Sequence, residues 1–204
     1  MLTVLINGSP KLKGSASGMI LCDLKKILDG KTEMEEVDFH TNIVNPEAME
    51  ILKKADKIIL AFPLYFDGIP SHLLRCLEQI KDISADVYAV SNAGFYEGEQ
   101  NAHALAIIRN WCSKNNPEWK MGVGIGGGGA MTAIGSVPLG KGPKKGPDKA
   151  LMTLADQLVK GQGGENIFVS IGMPRRMYKM AAEMGWKSMA KKNGLKKEDL
   201  EARI

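Results

Sequence analysis

The stretch LINGSPKLKGSASG, residues 5–18, combines the residue types that bind anions. Three serine hydroxyls and two lysine side chains can donate to an anion: Ser9, Ser15, Ser17, Lys11 and Lys13. An apolar run precedes the stretch and a helical pattern follows it, so the unsatisfied N–H groups and positive dipole end of that helix add to these donors. Because the stretch lacks the Walker and dinucleotide glycine patterns, it predicts a metal-free cradle for a monophosphate. A solvated loop with an ordinary helix cap is the alternative.

Two further loops of unusual composition follow apolar runs. FPLYFDGIP ends the run KIILAFP (57–63), and it places the bulky side chains of Tyr65 and Phe66 in a turn. A flat aromatic ligand would justify such residues in a turn, and packing beneath the loop is the alternative explanation. SNAGFYEGEQ ends the run DVYAVSNAG (86–94) and offers small residues with backbone N–H groups at Ala93, Gly94 and Phe95. A phosphate beside a flat, partly polar ring describes FMN.

Strand and helix patterns alternate along the chain, and they place the three loops together. The near-continuous apolar runs at 2–6, 57–63 and 86–94 are typical of buried strands. EWKMGVGI and NIFVSIG are further strand candidates, EMEEVDF is a partly exposed one, and segments with helical apolar spacing lie between them. This order predicts an α/β fold with a parallel sheet covered on both faces. Such sheets bind ligands beyond the carboxyl ends of their strands, where the three loops follow.

Two other segments partly match nucleotide-binding motifs, but the residues around them do not fit such sites. The Gly-rich stretch 122–147 contains G-x-G-x-x-G twice, but its glycines continue into a Pro-containing loop and not into a helix. GSVPLGKG, residues 135–142, approaches the Walker pattern, yet Gly142 stands where Ser or Thr should hold magnesium. The lysines of this stretch at 141, 144 and 145 suit a solvated loop better than an anion site.

Length and composition favour one folded domain. The chain has 204 residues, of which 44% are hydrophobic and 25% charged, which is ordinary for a globular protein. We expect no membrane span and no signal peptide, and hence a cytoplasmic protein, because the apolar runs are short and the N-terminus reads as a strand. We also expect its three cysteines to be buried, and we expect no metal site.

The net charge of +4 is concentrated near the C-terminus. Residues 174–204 contain nine Lys/Arg and four Asp/Glu, which gives +5, and the remainder is at −1. Aromatic residues do not interleave with the lysines as a base-stacking platform would need, since Tyr178 and Trp186 are the two in this region, so a solvated helix is favoured over nucleic-acid binding. The Met177, Met180, Ala181 and Met184 stripe predicts a packing face, with a partner helix or a membrane surface as alternatives. We therefore predict a single domain, 1–204, with a core of about 1–172 and a basic helical extension of about 173–204.

The three loops together resemble a known superfamily. NGSPK with its following serines, PLYFDGIPSHL after the third strand and NAGFYEG after the fourth are similar, in order and spacing, to flavodoxin-like proteins. The likeness is to the NAD(P)H-dependent oxidoreductases, which include NADPH-dependent FMN reductases and the flavin domain of iron–sulfur flavoproteins, and it covers residues 2–126. It implies an open parallel five-stranded sheet of order 2-1-3-4-5, FMN at its carboxyl edge and a homodimer. The cysteine motif of the iron–sulfur proteins is missing, so no cluster is expected.

The resemblance also implies roles for individual residues. The phosphate would be held by Ser9, Lys11, Ser15, Ala16 and Ser17. The isoalloxazine ring would be lined by Pro63, Leu64, Tyr65, Phe66 and Asp67. The pyrimidine edge would meet Asn92, Ala93, Gly94 and Phe95. Ala16 departs from the family, since many relatives have Ser or Thr there. No side chain is assigned as acid or base, because the flavin carries the chemistry.

The activity that the resemblance implies is an FMN-dependent NAD(P)H oxidoreductase. A hydride passes from the nicotinamide to the flavin, and the electrons then go to a small acceptor such as a quinone or a flavin. One alternative is an FMN-binding electron carrier, although such carriers are strongly acidic and this chain is at +4. Another is a flavin-binding regulatory protein without reductase activity. The sequence leaves open the acceptor and the choice between NADH and NADPH.

Overall fold

A computed structural model describes residues 1–196 and 198–201 of the chain. The strands are β1 (Leu2–Asn7), β2 (Glu33–Asp38), β3 (Lys57–Pro63), β4 (Asp86–Ala93), β5 (Glu118–Gly126) and β6 (Ile167–Ser170). The α-helices are α1 (Ala16–Leu28), α2 (Pro46–Lys53), α3 (Ser71–Gln79), α4 (Ala102–Ser113), α5 (Gly128–Met131), α6 (Lys145–Lys160) and α7 (Arg175–Lys192). Short 3-10 turns cover Gly98–Asn101, Gly142–Lys144 and Glu198–Glu201.

Local chemistry defines where the first helices begin. Ser15 caps α1, because its hydroxyl oxygen accepts the amide of Gly18 at 3.0 Å. Asn45 caps α2 in the same way, and Pro46 stands in the first turn, where its missing N–H costs nothing. Both helices therefore begin at a residue whose side chain accepts a first-turn amide.

The sheet is parallel, with helices on both sides, as the alternating pattern predicts. Its strand order is β2-β1-β3-β4-β5-β6. Strands β1, β3 and β4 are buried along nearly their whole length, which accounts for their continuous apolar sequence. The carboxyl ends of these three neighbours therefore lie side by side at one edge of the sheet.

The expectation of five strands is wrong in one respect, because a sixth strand extends the sheet. β6 pairs with β5 from Val123↔Ile167 to Gly126↔Ser170. Small residues in β5 make room for it: a Cβ on Gly124 would come within 2.6 Å of the Phe168 ring. The first five strands keep the expected order 2-1-3-4-5.

The Gly-rich stretch is explained by this packing. Gly122, Gly124 and Gly126 lie inside β5, where neighbouring chain approaches too closely for a Cβ. A Cβ on Gly126, for example, would come within 2.0 Å of the Tyr96 carbonyl oxygen. These glycines serve the sheet, in agreement with the rejection of a dinucleotide fingerprint.

Burial of the cysteines is as expected at two of three positions. Cys76 and Cys112 are buried, and burial raises the pKa of the Cys112 thiol to about 12. Cys22 is exposed, contrary to expectation, because it lies on α1 opposite the buried residues Ile20 and Leu24.

The chain divides into two compact units, Met1–Gly172 and Met173–Ile204. The first contains the sheet and helices α1–α6, and the second contains α7. Lys197 and residues 202–204, which belong to the predicted extension, lie outside the described residues. Among the residues described, no helix combines the length and apolar character needed to cross a membrane.

Candidate functional site

The loop between β1 and α1 gathers the three candidate serines below the protein surface. Ser9, Ser15 and Ser17 are all buried, which a solvated loop would not require. The hydroxyl oxygen of Ser9 accepts the Lys11 amide at 3.2 Å, and that of Ser15 accepts the Gly18 amide. A hydroxyl that accepts in this way keeps its own hydrogen for an outside acceptor. The loop is therefore preorganised to donate.

The first turn of α1 adds backbone donors to the same loop. The amides of Ala16 and Ser17 belong to the turn in which helix geometry supplies no acceptor. Ala16 offers an N–H donor, and it has no side-chain hydroxyl to add to it. The Lys11 ammonium donates to the Gly14 carbonyl at 3.0 Å, which closes the loop on itself.

Two histidines support this loop, and the sequence pattern did not indicate a role for either. One ring nitrogen of His40, Nδ1, lies 2.6 Å from the Ser9 carbonyl oxygen, and Nε2 lies 3.4 Å from the Asp38 carboxylate. His72 Nε2 lies 2.9 Å from the Phe39 carbonyl oxygen, and burial lowers the pKa of His72. Both rings bind backbone around the end of β1, so they position the loop.

Asn92 links the serine loop to the two neighbouring strands. Its buried side-chain amide donates to the Ser17 hydroxyl oxygen and to the Phe62 carbonyl oxygen, both at 2.9 Å. The link joins α1, β3 and β4 within one hydrogen-bond network. Asn92 therefore fixes the start of α1 relative to the carboxyl ends of β3 and β4.

A cavity of about 380 Å³ opens beyond the carboxyl ends of β3 and β4. Its lining consists of Leu64, Tyr65, Phe66, Asp67, Gly94 and Phe95. The volume falls within the range of small-molecule sites, and the aromatic residues provide an apolar wall for a flat ligand. Tyr65, Phe66 and Phe95 are all exposed, so their rings face solvent.

A strained turn carries the most exposed of these rings. Tyr65 and Gly68 exchange two backbone hydrogen bonds of 3.0 Å, so the pair Phe66–Asp67 forms a two-residue turn. Both residues have positive φ, 47° and 57°, a conformation that costs a non-glycine residue about 1–3 kcal/mol. A Gly pair would adopt this turn at less cost, so the residues present favour a functional surface over stability.

Two glycines after β4 have opposite surroundings. A Cβ added to Gly94 would meet nothing within 4 Å, because this residue faces the cavity. A Cβ on Gly98 would come within 2.5 Å of the Val169 carbonyl oxygen. Below them, the buried Asn101 side chain accepts the Ser91 hydroxyl and donates to the Gly98 carbonyl. The loop after β4 is thus fixed by hydrogen bonds at Gly98, whereas Gly94 faces open space in the cavity.

A buried charge cluster behind α1 was not indicated by the sequence. Lys144 is buried and ion-paired with Asp23 of α1, so it is not part of a solvated loop, although Lys141 and Lys145 are exposed. Asp148 is fully buried and accepts the Gly140 amide at 2.6 Å, and burial raises the pKa of its carboxyl group. The cluster fixes the stretch before α6 against the helix that begins at the serine loop.

The fourteen predicted site residues fall into three groups in the structure. Those that line the cavity are Leu64, Tyr65, Phe66, Asp67, Gly94 and Phe95. Those around the start of α1 are Ser9, Lys11, Ser15, Ala16 and Ser17. Pro63, Asn92 and Ala93 end the strands beneath, and of these Asn92 and Ala93 are buried.

No family model matches the chain, and no curated protein matches it in sequence. Solved structures do match. An apo NADH:FMN oxidoreductase is 15% identical with a TM-score of 0.58, over 86% of this chain and 97% of that one. An NADPH-quinone reductase from P. pentosaceus is 15% identical with a TM-score of 0.57, over 80% and 100%. The NAD(P)H:acceptor oxidoreductase FerB from Paracoccus denitrificans is 15% identical with a TM-score of 0.54, over 80% and 99%. These matches show a shared fold, in agreement with the predicted α/β architecture of a parallel sheet with helices on both sides.

Proposed function

We propose that this chain is an FMN-dependent NAD(P)H oxidoreductase that passes electrons to a small acceptor. One observation carries the proposal: a buried, preorganised serine loop and an aromatic-lined cavity of about 380 Å³ follow neighbouring strands of one sheet edge. The matched solved structures named as oxidoreductases of NADH, NADPH and FMN support it. A homodimer in the cytoplasm belongs to the same proposal.

The residues at this edge fit the two ends of FMN. Serine hydroxyls and first-turn amides suit a phosphate, which needs several donors and a positive potential. The open space above Gly94 and the rings of Tyr65, Phe66 and Phe95 suit a flat ring system. When bound, FMN would supply hydride and electron transfer between a nicotinamide and the acceptor.

The protein's own contribution is binding and orientation. The amides of Ala16 and Ser17, with the hydroxyls of Ser9 and Ser15, anchor the phosphate. Asn92 keeps this anchor in register with the cavity through Ser17 and Phe62. Tyr65, Phe66 and Phe95 exclude water from one side of the ring, which strengthens polar interactions at its edge. No side-chain acid or base is assigned.

The sharpest test is Ser15→Asp. Aspartate caps helices as well as serine does, so α1 should stay folded, whereas a second negative charge beside the phosphate should repel it. We expect the Kd for FMN, measured by flavin fluorescence quenching, to rise roughly 100-fold. Ser84→Asp is the matched control, because Ser84 lies at the opposite sheet edge, and it should leave the Kd unchanged.

Two results would contradict the proposed activity, and a third would contradict the proposed phosphate site. Wild-type protein without the flavin absorbance spectrum, and without FMN uptake on titration, would exclude a flavoprotein. Protein that binds FMN but shows no bleaching when mixed with NADH or NADPH in a stopped-flow spectrometer would be an electron carrier or a regulatory protein. Equal FMN affinity in Ser15→Asp and wild type would place the phosphate elsewhere.

A further inference from the structure

Helix α7 is an 18-residue helix in which Ala190 is the one buried side chain. The sequence stripe of Met177, Met180 and Met184 predicts a packing face, yet each of these side chains is more than half exposed. That prediction is wrong within the described residues. Most of the stability of helices in proteins comes from packing of an apolar face, so a surface that covers α7 would stabilise it.

The apolar side chains of α7 form two ridges. Met177, Met180 and Met184 follow helical spacing along the first ridge, and Trp186 and Met189 form the second. At 3.6 residues per turn, Met177 and Trp186 point in opposite directions. The small residues Ala181, Ala182 and Gly185 lie between the ridges, so from Met177 to Met189 the apolar arc extends over roughly two-thirds of the circumference. Arg175, Lys191 and Lys192 lie within the same arc, at the two ends of the helix.

The remaining sector is charged and mostly basic. Arg176, Lys179, Glu183 and Lys187 follow one another there at spacings of three or four residues. Helix α7 contains six Lys/Arg and one Glu, a net charge of +5, and the rest of the chain is at −1. The helix therefore combines a wide apolar arc with a strong positive potential.

The wide apolar arc and the positive charge of α7 distinguish between the surfaces that could cover it: another helix, a second copy of the chain, or a membrane. A coiled-coil partner needs a narrow seam that continues along the helix, but the methionine ridge is followed at its next positions by Lys187 and Lys191. A second copy of α7 would add another +5, and the rest of a second chain, at −1, offers little compensating charge. A fluid surface accommodates a wide arc and supplies negative charge.

We propose that α7 docks in the plane of a membrane surface that contains anionic phospholipids. The methionines and Trp186 enter the headgroup–acyl boundary, where tryptophan is favoured, and Arg176, Lys179 and Lys187 stay among the phosphates. The helix is interfacial and does not cross the bilayer. This proposal does not depend on the flavin chemistry.

The test is sedimentation of the full chain with vesicles of phosphatidylcholine alone or mixed with phosphatidylserine. We expect binding to the mixed vesicles, little binding to the neutral ones, and loss of binding as salt is raised. Arg176→Glu with Lys187→Glu should lower the partition coefficient more than tenfold. The matched control, Lys145→Glu with Lys149→Glu, changes the same charge at exposed positions of α6 and should bind like wild type.

A second pair of variants tests the apolar ridge. Met180→Ser with Met184→Ser should weaken vesicle binding at least tenfold while far-UV circular dichroism shows a folded chain. Absence of binding to mixed vesicles, or equal binding by the charge-reversal variant, would overturn the proposal. It would also be overturned if analytical ultracentrifugation showed a dimer that Met180→Ser with Met184→Ser dissociates, because a second copy would then cover α7.

Discussion

Two of the cavities lie at opposite ends of the parallel strands, and they differ in chemistry more than in size. The amino edge holds the larger one, about 520 Å³, whose lining includes Asp56, Asp86 and Glu118. The carboxyl edge holds the cavity of about 380 Å³ with its aromatic lining, next to the serine loop and the start of α1. Carboxylates repel a phosphate, and helix N-termini attract it. Volume alone would favour the amino ends of the strands, whereas the chemistry favours the carboxyl ends.

Each edge also has a buried lysine, and the two are held differently. Lys144, which precedes α6 on the carboxyl side, is ion-paired with Asp23. Lys57, the first residue of β3 on the amino side, donates to the Leu158 carbonyl oxygen, and burial lowers its pKa. Asp56 and Asp86 favour the charged form of Lys57, and Lys120 opposes it. The ion pair of Lys144 links two elements of the fold. For Lys57, the hydrogen bond to Leu158 offsets only part of the free energy lost by taking its charge out of water.

The largest expected effect is at Lys144. Lys144→Met leaves the buried Asp23 without its main partner, so the free energy of unfolding should fall by about 3 kcal/mol in urea titrations. Lys160→Met is the control, because the Lys160–Asp156 pair is exposed and should contribute less than about 1 kcal/mol. A loss below about 1 kcal/mol for Lys144→Met would mean that the cluster does not anchor α1.

An intermediate effect is expected at Gly94. A Cβ at Gly94 would meet no atom within 4 Å, so the side chain of Gly94→Val should occupy open space at the cavity. The Kd for FMN should rise at least tenfold while the unfolding midpoint stays within error. Gly98→Ala is the opposite case, because its Cβ collides with the Val169 backbone and should lower stability by about 2 kcal/mol. Unchanged FMN affinity in Gly94→Val would exclude this cavity as the ring site.

The smallest effect is expected at Lys57. Lys57→Met should change the free energy of unfolding at pH 7 by less than about 1 kcal/mol, in either direction, because the lost hydrogen bond is offset by relief from burying a charge. Since the folded-state pKa is lowered, wild type should gain stability relative to the variant as pH rises through that pKa toward 10.5. A stability difference that is flat from pH 7 to 10.5 would contradict this.

Sequence patterns were sufficient for the main strands and helices and for the residues that line the aromatic cavity. Continuous apolar runs identified β1, β3 and β4. Ser15 and Ser17 were both possible caps of α1, and the structure has Ser15 there. The loops after these strands contain every residue of the aromatic cavity. Such patterns depend only on residues close together in the sequence, so they can be recognised without knowing the tertiary structure. The sixth strand was recognisable as a strand, but its place beside β5 depends on how closely Phe168 approaches Gly124.

The chain's sequence by itself determined the order of strands and helices, the capped start of α1 and the chemistry of the three loops. Tertiary structure alone decided that Lys144 pairs with Asp23, 121 residues away, and that Asn92 binds Ser17, 75 residues away. It also decided that the methionines of α7 are exposed. The physical reason is that solvation is a property of the assembled surface. A lysine or a methionine has the same local pattern whether another element covers it or water does.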